Sequence, residues 1–102
     1  MKKYKIKIEP DALNDIKEIS SWYNKRKKNL GNHFKQTVIT QISSLKHSPY
    51  RYAIRYQKIR CALVRRYPYM IHFNIDEEKK AVIILAIIST DRHPKKWLER
   101  IR

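Results

Sequence analysis

The stretch that decides the fold is VRRYPYMIHFNIDEEKKAVIILAIISTDRHPKKW, residues 64–97. Apolar side chains occupy every second position from 69 to 75, which predicts a strand with one buried face. Residues 81–88 are all apolar, so we expect a central strand that is covered on both faces. The acidic and lysine residues at 76–80 predict the turn between these two strands, and the chain leaves the sheet at Ser89.

Earlier in the chain the periodicity changes from strand to helix. Residues 3–8 alternate lysine with apolar side chains, which indicates a half-buried strand whose lysines suit the edge of a sheet. Pro10 and Asp11 are typical of a helix start, and apolar residues then recur at helical spacing. We expect Leu13 and Trp22 to widen the apolar face of this helix.

A second helix follows, because apolar side chains recur at helical spacing over 30–45 until Pro49 ends the pattern. Residues 59–66 alternate again and predict another strand, and residues 94–101 predict a short terminal helix. The predicted fold class is therefore α+β: a strand, a helical hairpin, then an antiparallel sheet of three further strands and a short C-terminal helix. We expect residues 1–102 to form a single domain, with the helices on one sheet face and the other face open to a partner or substrate.

Charge is the strongest global feature of the sequence. Twenty-four Lys and Arg oppose nine Asp and Glu, which gives a net charge of +15 over 102 residues. The stretch from 19 to 75 contains no acidic residue. Such an excess of one sign predicts a polyanion or an acidic protein as partner. The basic run at 24–29 is interpreted either as a phosphate contact or as a solvated loop.

The composition excludes several classes of site. Because Cys61 is the single cysteine, an internal disulfide or a multi-cysteine zinc site is ruled out, and we expect Cys61 in the core. The four histidines lack a ligand spacing and one glycine cannot form a phosphate-binding loop, so we expect no metal and no cofactor. The N-terminus lacks the apolar block of a signal peptide, and the longest apolar run is too short to span a bilayer. We therefore expect a cytoplasmic protein with no membrane partner.

Phosphoryl chemistry on RNA is compatible with the remaining residues. Cleavage beside the 2′-hydroxyl needs a proton acceptor, an acid and cations, but no metal. We expect His72 on the strand face opposite the core, where it would exchange protons near neutral pH; the alternative is a surface histidine without a role. The candidates for this chemistry are Arg60, Arg65, Arg66, His72, Arg92 and His93.

Basic and aromatic residues interleave at 50–56. This pattern indicates either a nucleic-acid contact or tyrosines that pack on the helices. The polar, basic exit after the last strand is expected to be free for a partner. The candidates for binding nucleic acid or another target are Arg51, Arg55, Lys58, Lys95, Lys96 and Trp97.

Three segments, RRYPYMIHFNIDEE (65–78), ILAI (84–87) and DRHPKKW (91–97), resemble the RelE/ParE toxins of bacterial type II toxin–antitoxin systems, and the first helix at 10–19 is also similar. The resemblance covers nearly the whole chain. It implies the fold described above and an acidic antitoxin that wraps the basic surface.

The resemblance leaves the cellular target open. Some members of the family cut messenger RNA on the ribosome, whereas ParE-like members block DNA gyrase. The long helical hairpin and the Pro-x-x-Trp ending are ParE-like, and Met70 stands where the ribonuclease branch carries an arginine. Ser89 stands where many relatives have a histidine. The alternative to both toxin types is a non-catalytic nucleic-acid-binding module or an inactive toxin homologue.

Overall fold

The computed structural model describes residues 3–101. Within this range the chain forms three α-helices and five strands, with a short 3₁₀ turn at Pro49–Arg51. In chain order they are β1 (Lys5–Ile8), α1 (Pro10–Arg26), α2 (Leu30–Ser44), β2 (Ile54–Tyr56), β3 (Ile59–Leu63), β4 (Tyr69–Asp76), β5 (Ala81–Ser89) and α3 (Pro94–Ile101).

The strands form one sheet in the order β1-β5-β4-β3-β2. β1 lies at one edge and runs parallel to β5, which confirms the edge position predicted from its lysines. The long connection that a parallel pair requires consists of the helical hairpin followed by β2, β3 and β4. The remaining neighbours are antiparallel, as predicted. The fold class is confirmed with one addition, the three-residue strand β2, which is too short to show an alternation in the sequence.

The helical hairpin covers one face of the sheet and forms the main core. The buried residues of this core include Ala12, Ile16, Phe34, Val38 and Ile42 from the hairpin and Ile71, Phe73, Val82, Ile84 and Ile87 from the sheet. The expectation for Leu13 and Trp22 is wrong, since each side chain is 48% exposed. Both side chains lie beside the buried apolar face of α1. The Arg26 guanidinium lies over the Trp22 ring, 4.1 Å from its centroid.

The second face of the sheet is covered in part by α3. Trp97 is only 5% exposed and packs in a smaller core with Cys61, Met70, Ala86 and Ile88. Burial of Cys61 is therefore confirmed. The expectation that this whole face stays open is wrong, because the short terminal helix turns back and places its tryptophan on the sheet.

Candidate functional site

Two segments singled out in the sequence meet at one end of the sheet. β4 and β5 are paired so that Tyr69 lies opposite Ser89. The backbone N–H of Thr90 donates a hydrogen bond of 2.9 Å to the carbonyl of Pro68. We refer to residues 65–69 and 89–96 together as the basic end of the sheet.

Aromatic packing fixes the turn between β3 and β4. Tyr67 and Tyr69 lie edge-on to Phe34, with ring centroids 5.0 and 5.5 Å away, and both also contact Tyr23. The Tyr67 hydroxyl lies 2.5 Å from Nδ1 of His33. The turn is thereby held against the helical hairpin, which limits how far its arginines can move.

Gln41 of α2 holds the same turn through its side-chain amide. Its Nε2 donates to the carbonyl of Leu63 at 2.9 Å, and its Oε1 accepts the backbone N–H of Arg65 at 2.6 Å. Arg66 adopts a left-handed backbone conformation with φ of 70°. Arg65 and Arg66 are exposed and border a groove along α2 that also contains His33.

The exit from β5 forms the second part of the basic end. Arg92 and Lys96 are exposed and line a cleft between α1 and α3 together with Tyr69 and Ser89. Asp15 and Glu18 also line this cleft, and Nζ of Lys96 lies 3.6 Å from Oε1 of Glu99. Burial raises the pKa of Tyr69, and the positive charge of Arg92 partly opposes that shift. Tyr69 therefore stays a neutral phenol that can donate a hydrogen bond into the cleft.

His93 and Lys95 lie at the start of α3, and both are exposed. Nδ1 of His93 accepts the backbone N–H of Lys95 at 3.1 Å. This contact gives one unpaired amide of the first helical turn a partner. His93 thus has a capping contact, in addition to the exchange of protons predicted for it.

His72 lies in the middle of the sheet beneath α3, and the structure differs from both interpretations of it. Its side chain has no exposed surface, and its ring centroid lies 5.0 Å from that of Trp97. Nδ1 is 2.9 Å from the Tyr56 hydroxyl and 3.4 Å from Sγ of Cys61. Burial, together with the positive charges of Arg55 and Arg100, lowers the pKa of His72 to about 4. His72 is on the predicted strand face, but it is neither at the surface nor in an open site.

The family model described as ParE toxin of type II toxin–antitoxin system, parDE, matches residues 6–94. The chain belongs to the ParE toxin family. It is therefore a toxin of a type II toxin–antitoxin system. No curated protein matches the sequence of the toxin.

Solved structures show the same fold. The toxin is 20% identical to a chain of the chromosomal ParDE system from P. aeruginosa, with a TM-score of 0.75, over 84% of the toxin and 95% of that chain. It is also 20% identical to a chain of the RelBE2 toxin–antitoxin complex from Mycobacterium tuberculosis, with a TM-score of 0.65, over 87% of the toxin and 93% of that chain. A mutant of E. coli toxin RelE in the free state is 13% identical to the toxin, with a TM-score of 0.71, over 97% of the toxin and 94% of that chain.

Arg60 of the toxin is engaged in the protein itself. Its Nη1 donates to the carbonyl of Tyr52 at 2.5 Å, and its guanidinium lies 4.9 Å from the centroid of the Tyr50 ring. The residue is half-buried and holds the segment before β2 against the sheet. Arg60 is therefore not placed with the arginines of the basic end.

The segment at 50–56 combines both predicted interpretations. Tyr52 and Tyr56 pack inward, against Phe73 and Trp97 respectively, whereas Tyr50 is 51% exposed. The nearby candidates for binding, Arg51, Arg55 and Lys58, are exposed. The guanidinium of Arg55 lies 5.7 Å from the Trp97 ring, so it borders the covered face of the sheet.

Trp97, predicted to bind a target, instead covers the sheet, because only 5% of its surface is exposed in the toxin. Three polar residues that organise the site were not predicted: Asp15, His33 and Gln41. Of these only Asp15 gives a signal in the sequence, a carboxylate beside the apolar stripe of α1. It is 8% exposed and accepts hydrogen bonds from the backbone N–H of Ile87 at 2.9 Å and from Nη2 of Arg100 at 2.7 Å.

Over residues 3–101, His, Cys, Asp and Glu side chains form no group of three or more that could hold a metal ion. In the same part of the chain, none of the helices combines the length and apolar character needed to cross a membrane.

Proposed function

We propose that the toxin inhibits growth by binding a target protein, DNA gyrase, and not by cutting messenger RNA on the ribosome. The observation that carries this proposal is the burial of His72 beneath Trp97. A general base must come within hydrogen-bond reach of the proton that it removes. RNA has no access to the imidazole while α3 is docked.

The surroundings of His72 also argue against proton transfer near neutral pH. A pKa of about 4 makes the imidazole a weak base, far below the value that suits a general base at neutral pH. Met70, which stands where the ribonuclease branch carries an arginine, is 8% exposed and packs in the same small core as Trp97. The toxin therefore has an apolar side chain at the position where the ribonuclease branch has a cation that could stabilise the phosphorane.

The basic end of the sheet is the surface that we assign to target binding. Arg65, Arg66, Arg92 and Lys96 are exposed, and they lie on two segments joined by backbone pairing. Such a fixed positive surface favours a partner that presents carboxylates, because complementary charge speeds encounter and fixes orientation.

We also assign an acidic antitoxin as the partner that neutralises the toxin. The net charge of +15 supports this assignment, since an acidic segment gains many favourable interactions when it folds onto the chain. Relatives of the toxin have been solved as toxin–antitoxin systems, ParDE from P. aeruginosa and RelBE2 from Mycobacterium tuberculosis.

Two assays run in parallel test the mode of inhibition. The purified toxin is added to a gyrase supercoiling reaction on relaxed plasmid, and separately to a translating extract whose messenger RNA is read by primer extension. We expect supercoiling to stop and the messenger RNA to stay intact. Cuts at codons that require the ribosome would refute the proposal.

Variants test whether the basic end carries the inhibition. R65A/R66A and R92A/K96A should each raise the concentration needed to inhibit gyrase by roughly tenfold or more, because truncating a central charged contact costs about 1–3 kcal/mol. The matched control is K5A/K79A, which also removes two positive charges but from exposed positions elsewhere. An equal effect in all three variants would show that only the total charge matters.

A further inference from the structure

The exposed side of the helical hairpin carries a second basic surface, a groove between α1 and α2. Lys17, Ser21 and Lys25 line it from α1, at successive spacings of four residues, and Lys35 lines it from α2. All four side chains are exposed. This groove lies on different elements from the basic end and does not depend on the function proposed above.

A buried hydroxyl lies beside this groove. Ser20 is 8% exposed and lines the groove, and its Oγ has no hydrogen-bond partner among the described residues. Buried polar groups in proteins nearly always have a partner, because an unpaired one costs free energy. A ligand oxygen in the groove would supply the missing partner once the side chains around this buried atom move aside.

The floor of the groove is rigid. α1 and α2 approach so closely at Gly31 that a Cβ there would lie 1.9 Å from the carbonyl oxygen of Ser20. The backbone N–H of Gly31 donates to Oδ1 of Asn24 at 2.7 Å, and Nδ2 of Asn24 donates to Oδ1 of Asn32 at 3.4 Å. The two helices that carry the donors are therefore held at a fixed separation before any ligand arrives.

The chemistry of the lining selects an anion. Every side chain that lines the groove is a lysine, a serine or an asparagine, and a carboxylate is not among them. These residue types, with arginine, make most protein contacts to phosphate oxygens of DNA. Lys27 and Lys28, in the turn that joins the helices, continue the positive surface beyond the groove.

We propose that this groove binds the phosphate backbone of double-stranded DNA through Lys17, Lys25, Lys35 and the Ser20 hydroxyl. Single strands are bound mainly by stacking of bases on aromatic rings, and none of the side chains lining the groove is aromatic. The residues that dominate protein–protein binding are mostly tryptophan, tyrosine and arginine, and none of these lines the groove. A duplex needs only cations and hydroxyl or amide donors along its backbone.

The salt dependence of DNA binding tests the lysines. Fluorescence anisotropy with a labelled duplex of unrelated sequence gives the slope of log K against log salt, and each phosphate that the protein neutralises adds about 0.9 to the size of this slope. We expect K17Q/K25Q/K35Q to reduce the size of the slope by about 2–3, since three phosphates are then no longer neutralised. The control K3Q/K5Q/K79Q removes the same charge from exposed lysines outside the groove and should keep the slope of the wild type.

The Ser20→Ala variant tests the hydroxyl separately. We expect it to weaken duplex binding by roughly threefold to tenfold, the effect of one hydrogen bond, with no change in the salt slope. Its thermal unfolding midpoint should not fall, because the hydroxyl that it removes has no partner within the described residues. Wild-type affinity in S20A would overturn the role of the hydroxyl.

Three results would overturn the site as a whole. The first is an equal reduction of the slope in both triple-lysine variants, which would mean diffuse attraction by net charge. The second is tighter binding of a single strand of the same sequence than of the duplex. The third is no detectable duplex binding at low salt, where phosphate contacts are strongest.

Discussion

Acidification should destabilise the toxin through one residue, His72. Its imidazole is buried without exposed surface, and burial lowers its pKa from an ordinary value near 6.5 to about 4. The unfolded chain therefore takes up a proton at a pH where the folded chain does not. The stabilisation from neutral His72 is fully present above about pH 6.5 and is lost as the pH falls towards about pH 4.

The size of the effect follows from the two pKa values. A difference of about 2.5 units at about 1.4 kcal/mol per unit corresponds to roughly 3 kcal/mol over the whole range. About 2 kcal/mol of this is lost between about pH 7 and about pH 5, because the folded form is still neutral at the lower value. This decrease is a large fraction of the stability of a domain of this size.

Urea unfolding at both pH values measures the decrease directly. The wild type should lose about 2 kcal/mol more than H72Q, whose side chain cannot take up the proton. H47Q, which replaces an exposed histidine, should keep the pH dependence of the wild type. NMR titration of the imidazole gives a direct check if H72Q folds poorly. The same pH dependence in H72Q and wild type, or a His72 titration near pH 6.5, would refute the burial argument.

Three further predictions concern the contacts that hold the fold. D15A should destabilise the toxin by about 1–3 kcal/mol in thermal unfolding, because it leaves the buried N–H of Ile87 unpaired. E18A, an exposed position on the same helix, should cost less than about 0.5 kcal/mol. Equal costs in the two variants would contradict this prediction. Burial raises the pKa of the Cys61 thiol to about 11, so iodoacetamide should label the native chain slowly. The W97A variant should be labelled much faster, because Trp97 packs in the same small core as Cys61. Fast labelling of the wild type would contradict this prediction. G31A should cost about 1–3 kcal/mol, since its methyl group would meet a backbone carbonyl of α1, and a wild-type unfolding midpoint would show that the helices can separate.

Most of the fold could be predicted because it rests on local periodicity. Alternation over 69–75 and the apolar run at 81–88 specify two neighbouring strands, and the helical spacing before Pro49 specifies the hairpin that must cover them. The order β3-β4-β5 then follows from short connections, whereas the pairing of β1 with β5 has no local signal in the sequence. β2 was not predicted, since its three residues, Ile54–Tyr56, lack room for a pattern.

The candidate site could be predicted only in part, because a strand pattern gives the direction of a side chain and not what lies above it. His72 points to the predicted face, but Trp97, which covers it, is 25 positions later in a helix whose docking depends on tertiary contacts. The same limit applies to Asp15. Its neighbour Arg100 is far away in sequence, so the pair has no local signature.

The few carboxylates of the toxin explain how so basic a chain folds and still presents free positive charge. Asp15 links α1 to β5 and α3, and Glu77 accepts hydrogen bonds from Tyr4, Tyr50 and Lys80. The hydrogen bond from Lys80 is the main reason that the pKa of Glu77 is lowered to about 2, so this carboxylate stays ionised under ordinary conditions.

Because Asp15 and Glu77 are engaged within the fold, they leave Arg65, Arg66 and the lysines of the hairpin groove without a carboxylate partner within residues 3–101, whereas Lys96 at the basic end pairs with Glu99 at 3.6 Å. The two surfaces differ in what they offer to a partner. The basic end presents arginines at a turn held by Tyr67 and Gln41, which suits recognition of a shaped protein surface. The groove presents lysines along a helix with polar donors between them, which suits a repeating phosphate backbone. Separate loss of gyrase inhibition and of duplex binding in the two sets of variants would therefore be the expected behaviour of one toxin with two anion-recognising surfaces.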